Sequence, residues 1–126
     1  MNYLNPHAHH LDQDVESTDR TAVVLYEISR ERGRQDEKWG EQNHTDGTGP
    51  AIVWSYSGPA AYVADSARAE CERLFAEGYG SWRDILTEEV AEAYATNDTS
   101  ELRAELIQVA AVAVAWIEAI DRRAQR

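Results

Sequence analysis

Side chains with metal-ligating oxygens recur at helical spacing in the last third of the chain: Glu88, Glu89 and Glu92 in TEEVAEAY, then Glu105 and Gln108 in ELIQ. At about 100° per residue, Glu89 shares a stripe with Trp82, Leu86 and Ala93, and Glu92 lies beside Ile85 at its edge. Glu105 falls between Val112 and Trp116. A buried ionised carboxylate without a partner costs several kcal/mol or takes up a proton. A divalent cation shared by both stripes removes that conflict. Glu89 with Glu92, and Glu105 with Gln108, are each spaced i, i+3, so each pair occupies one helix face. Such an oxygen-only set suits Mg2+ or Mn2+ and not the softer metals that prefer nitrogen and sulfur. The competing reading is a solvated acidic helix face, against which stand the stripe positions of Glu89 and Glu105.

The elements that must position these residues are helices. TNDTS, from Thr96 to Ser100, reads as a tight helix-helix turn with Asp98 as N-cap and Glu101 three residues on, a pattern like a capping box. A short turn makes the helices antiparallel neighbours, so Glu89 and Glu92 can face Glu105 and Gln108. Ser81 caps the helix before the turn, expected over Trp82 to Ala95, and the helix after it is expected from Thr99 to Arg123. Further upstream the pattern predicts a helix from Pro59 to Gly78, with Ala60, Val63, Ala64, Ala67, Cys71 and Leu74 inward. The first helix is expected over Thr18 to Arg32, with Val23, Val24 and Ile28 inward and Asp19, Glu27 and Arg30 outward. Ile52, Trp54 and Tyr56 before the second helix are read as an additional short segment, and strand signals and repeats are absent. The reading is an all-α fold with a four-helix, bundle-like core.

The fourth helix has an apolar middle, LIQVAAVAVAWI, that is hydrophobic on every side. A four-helix monomer cannot cover all of it. A second copy of the chain is the simplest cover, with Ile107, Ala111 and Val114 expected between chains.

With 126 residues the chain is expected to form one domain, residues 18–126, preceded by a loose arm over 1–17. In that arm His7, His9 and His10 offer imidazoles to a transition metal, a pattern that is commonly adventitious in a mobile terminus. The net charge of -11 argues against a duplex-binding surface, which needs clustered Lys and Arg. A lone Cys71, no long uncharged apolar run and no secretion-like start lead to the expectation of a cytoplasmic protein without a membrane span. Between the first two helices, ERGRQDEKWGEQNHTDGTG reads as a long loop. Gln35, Trp39, Asn43 and His44 give it an aromatic to stack on a nucleobase and donors and acceptors for its edge. The same composition also describes an ordinary surface loop tied down by Trp39.

The two acidic segments, EEVAE and ELIQ, resemble the EExxE and ExxD signature of the all-α nucleoside triphosphate pyrophosphohydrolases of the MazG type. RQDEKWGEQNH and ELRAELIQVAAVAVAWIEAIDRR are similar to small MazG-like proteins common in phages and some bacteria, and the resemblance covers roughly Asp19 to Arg123. It implies an oligomer, a homodimer or homotetramer, that binds Mg2+ and cleaves a nucleoside triphosphate to the monophosphate and pyrophosphate in the cytoplasm, that of a host if phage-encoded. By that match Glu89, Glu92 and Glu105 are metal ligands, and Glu88 is a further ligand or the base that activates water. Glu88 and Glu92 are thus the candidate catalytic carboxylates. Gln108 departs from the pattern, which has Asp there; its carbonyl can ligate, but it cannot accept a proton at neutral pH. Arg34 and Lys38 are candidate phosphate contacts, and Trp39, Asn43 and His44 candidate base or ribose contacts. The rival readings are a nucleotide-binding module of the same fold without catalysis, and an acidic protein-interaction module.

Overall fold

The computed structural model describes residues 11–54 and 58–124. Among them the chain is all-helical, with α1 (Leu11–Trp39), α2 (Ala60–Ala76), α3 (Trp82–Tyr94) and α4 (Thr99–Ala124), no strand, and an isolated bridge between Val53 and Pro59. His7, His9, His10 and Tyr56 fall outside the described residues. The chain divides into two compact units. One is built on Asp46–Ala113; the other joins α1 and the residues up to Thr45 with the end of α4 from Val114.

In the first unit the helix boundaries follow local chemistry. Pro59 is the N-cap of α2, and its other end closes in a Schellman arrangement: Tyr79 N–H reaches Leu74 O at 2.8 Å and Gly78 N–H reaches Phe75 O at 3.2 Å. Gly78 makes this possible at φ 85°, a conformation that a Cβ disfavours. Ser81 and Asp84 form a reciprocal capping box at the start of α3. Asp98 Oδ2 accepts from Glu101 N at 2.9 Å, which starts α4 where the TNDTS turn predicts.

α2 packs along α3 through the small residues Ala60, Ala64 and Cys71, all buried, while Val63, Ala67 and Leu74 are half-buried. The segment before α2 lies across the end of α3. Gly49 N–H donates to Tyr94 O at 2.8 Å, Thr48 Oγ1 donates to Thr96 O at 2.7 Å, and the Trp54 ring meets Tyr94 edge-on at 4.9 Å. These bonds take up carbonyls that a helix end leaves without an intrahelical donor. Gly49 has φ 146°, and a Cβ there would stand 2.5 Å from Asn97 Oδ1, so the close approach requires glycine.

In the second unit α1 is longer than the apolar stripe predicts. It starts at Leu11, within the stretch expected to be a loose arm, and runs on to Trp39 instead of stopping at Arg32. Arg34, Gln35, Lys38 and Trp39 therefore occupy helix, not loop, and the loop begins at Gly40. Side-chain pairs one turn apart support this extension where apolar residues run out: Arg32 with Asp36 at 2.7 Å, Arg34 with Glu31 at 2.6 Å, and Arg32 with Gln35 at 2.7 Å. Val24 is buried, whereas Val23 and Ile28, also expected inward, are 59% and 39% exposed. Val23 lies about 100° around the helix from Val24, off the narrow covered face. Thr21 Oγ1 donates to Glu118 on α4 at 2.7 Å. Val114, expected to be covered only by a second copy, is already buried within the chain at 7% exposure; Ile107 and Ala111 are exposed.

Candidate metal centre

α3 is buried around more of its circumference than one stripe. Ala91, Glu88, Ile85, Glu89 and Ala93 span an arc of about 200° at 100° per residue, and all are buried. Glu88 and Glu89 are the buried charged residues of the described chain, at 0% and 1% exposure. Glu89 was expected there; Glu88 stands about 100° away from it and is enclosed because α2 packs against that side.

Glu89, Glu92 and Glu105 converge. One carboxylate oxygen from each lies within 4.8 Å of the others. Opposed ligands of Mg2+ at about 2.1 Å stand about 4.2 Å apart, and those of a larger hard cation at 2.3–2.6 Å stand about 4.6–5.2 Å apart. At most one pair of three octahedral ligands can be opposed, and neighbouring ligands at about 2.1 Å stand about 3.0 Å apart, so the carboxylates must draw together by up to about 1.8 Å to share one Mg2+.

The proton affinities follow from the same crowding. Burial pushes the Glu89 carboxyl up to about 7, and the charges of Glu92, Glu105 and Glu88 add to the effect. Glu105 is raised as well, by burial first and by Glu92 next, with Arg68 acting in the opposite sense. Two acids, Glu89 and Glu105, whose ionisation is disfavoured in this way are ready to exchange protons for a cation.

Arg68 on α2 completes the cluster, and it was not among the candidates read from the sequence. Its Nε and Nη2 donate to Glu92 Oε1 at 3.3 and 3.2 Å, its Nη1 donates to Asp65 at 3.3 Å, and its Nε stands 3.8 Å from buried Glu88. The hydrogen bond to Glu92 is the main cause of the raised Arg68 pKa. A signal existed: Arg68 lies about 40° around α2 from Ala64, on the border of the small-residue stripe and not opposite it.

Asp65, Arg68, Glu92 and Glu105 of this cluster line a cavity of about 360 Å3. Ala61, Ala64 and Ala95 leave the space, while Asp65, Arg68, Glu92 and Glu105 supply its charge. Gln108, proposed as a fourth ligand, is exposed on α4 and is not on the cavity lining.

The remaining candidates belong to the other unit, where they interact locally. Arg34 pairs with Glu31, Gln35 Oε1 accepts from Arg32, and Asn43 Nδ2 donates to Glu41 at 3.0 Å. Lys38 Nζ stands 4.9 Å from the centre of the Trp39 ring, which is 56% exposed, and His44 is exposed. Comparison of the chain with protein-family models, with curated proteins and with solved structures finds no match.

Proposed function

We propose that the chain is a divalent-cation-dependent nucleotide pyrophosphohydrolase that converts a nucleoside or deoxynucleoside triphosphate to the monophosphate and pyrophosphate. The observation that carries this reading is the convergence of Glu89, Glu92 and Glu105 within 4.8 Å, with Glu92 and Glu105 on the wall of a cavity. These three residues would hold Mg2+ or Mn2+. Bound there, the cation would neutralise phosphate oxygens and lower the pKa of a coordinated water. Glu92 lines the cavity and is the carboxylate assigned to orient the attacking water and take its proton. Glu88 is wholly buried behind Arg68, so its assigned part is to hold the guanidinium in place. Phosphoryl transfer depends mainly on positioning and charge neutralisation, which suits a site made of carboxylates and an arginine.

The resemblance of the acidic segments to the MazG type favours the same chemistry. It also assigns nucleotide contacts to Arg34, Gln35, Lys38, Trp39, Asn43 and His44, among which the exposed Trp39 indole is suited to stacking on a base. In this reading the helices form a bundle-like core completed by a second copy. Leu106 and Ile107 are 52% and 54% exposed on α4, and an apolar face of this kind is covered in a homodimer or homotetramer. Among the described residues no helix is long and apolar enough to cross a membrane, and action on nucleotides in the cytoplasm accords with that.

A screen of nucleoside triphosphates with Mg2+, read out as released pyrophosphate, tests the proposal. Cation-dependent pyrophosphate release is expected from at least one substrate. Cation-dependent nucleotide binding without release would instead indicate a non-catalytic binding module, and neither binding nor release an acidic interaction protein.

A further inference from the structure

The carboxylates that can hold a cation cannot themselves hold the phosphate chain, and a charged wall of this kind needs a donor to position an anion. Arg68 supplies the basic side chain on the cavity lining, beside Glu92 and Glu105. Its side chain is 41% exposed, so the head is in reach of a ligand, while buried Glu88 stands behind it. The plane of the guanidinium is fixed on two sides, by Glu92 through Nε and Nη2 and by Asp65 through Nη1. A guanidinium has five N–H donors. These contacts use one each on Nε, Nη1 and Nη2, which leaves one on each terminal nitrogen, a pair able to grip two oxygens of one phosphoryl group.

We propose that Arg68 is a phosphate-binding residue of this cavity, donating its two remaining N–H groups to oxygens of a polyphosphate chain that also meets a divalent cation on Glu89, Glu92 and Glu105. The inference rests on the metal-centre reading above and extends it to the ligand's chemical class. Glu92 and Asp65 offset much of the arginine's charge, so Arg68 alone does not attract an anion. The polyphosphate binds only together with the cation, and Arg68 then fixes its orientation. Lysine cannot replace it fully, because an ammonium keeps the charge but not the planar fork.

The test uses the full chain and calorimetry in two steps: Mn2+ alone, then inorganic tripolyphosphate at constant, saturating free Mn2+. The wild type should bind Mn2+, bind tripolyphosphate only when Mn2+ is present, and lose at least tenfold in tripolyphosphate affinity on Arg68→Gln while Mn2+ affinity changes by less than threefold. Arg68→Lys should fall between the two, at least fivefold weaker than the wild type, and keeps the test decisive if Arg68→Gln does not fold. Equal tripolyphosphate affinity in wild type and variants would overturn the inference. So would parallel losses of Mn2+ and tripolyphosphate, which would make Arg68 a support for the cation alone. A wild type that binds Mn2+ but no tripolyphosphate would overturn this inference and leave the metal centre standing. A wild type that binds no Mn2+ would overturn the metal centre, and this inference with it.

Discussion

The end of α1 and the end of α3 are both rich in charge, yet the charges do different things. Around Glu31 to Asp36 each arginine finds its acid one turn away on the same helix, and every partner is more than half exposed. Around Glu88 to Glu92 the acids have no such neighbour on α3. Glu88 and Glu89 are buried and Glu92 is partly so, they meet an acid from α4 and an arginine from α2, and Glu89 is raised to about 7. Acid content therefore does not mark a site; acids enclosed by other elements, and left to share cations from outside their own helix, do.

The largest effect that can break this comparison is in the pH dependence of stability. Glu89 has a folded pKa of about 7 against an ordinary 4.5, so the folded state holds the proton more tightly than the unfolded one. Its stabilising contribution is fully present below about pH 4.5 and is lost as pH rises through about 7, with an upper limit of about 3 kcal/mol at 1.36 kcal/mol per unit. Urea unfolding in a chelator should show the wild type losing stability from pH 5 to pH 8. Glu89→Gln should flatten that slope and be about 1–3 kcal/mol more stable than the wild type at pH 8. Equal slopes for the two proteins would mean that Glu89 is as solvated as the acids of α1.

A smaller effect separates the arginines. Arg68→Gln removes the cation facing buried Glu88 and should cost about 1–2 kcal/mol, below the 3–5 kcal/mol of a fully buried pair because Arg68 is 41% exposed. Arg32→Gln on α1 should cost less than about 0.5 kcal/mol, as surface pairs one turn apart do. Matching losses in chemical denaturation would erase the distinction between the two regions.

Much of this contrast was legible in the sequence, because local signals decide helix ends. Pro59, Gly78, Ser81 and Asp98 mark the limits of α2, α3 and the start of α4, and the structure follows them. The extension of α1 to Trp39 was not legible from periodicity, since paired charges and not an apolar stripe support it. Glu89 and Glu105 could be read as acids inside apolar stripes. Glu88 could not, because its enclosure depends on α2 lying against a second side of α3, and a stripe on one helix does not reveal its neighbours. Arg68 was readable in principle, as a charge bordering a stripe of small residues, but its partners are contributed by another helix.

The smallest effect concerns Gln108, exposed on α4 one turn beyond Glu105. Gln108→Asp adds a carboxylate near the cluster and should tighten Mn2+ binding severalfold, with turnover kept or raised. Tighter Mn2+ with lost turnover would show that the amide itself contacts the substrate.

Calorimetric titration of Mn2+ into the wild type and into Glu105→Gln tests the central claim most directly, since Glu105 is the carboxylate that α4 brings to the two on α3. Saturable binding to the wild type, tighter at pH 8 than at pH 6 because Glu89 must lose its proton, and at least tenfold weaker in Glu105→Gln, is the predicted result. Binding of equal strength in both proteins, or none in either, would contradict a shared cation site between α3 and α4.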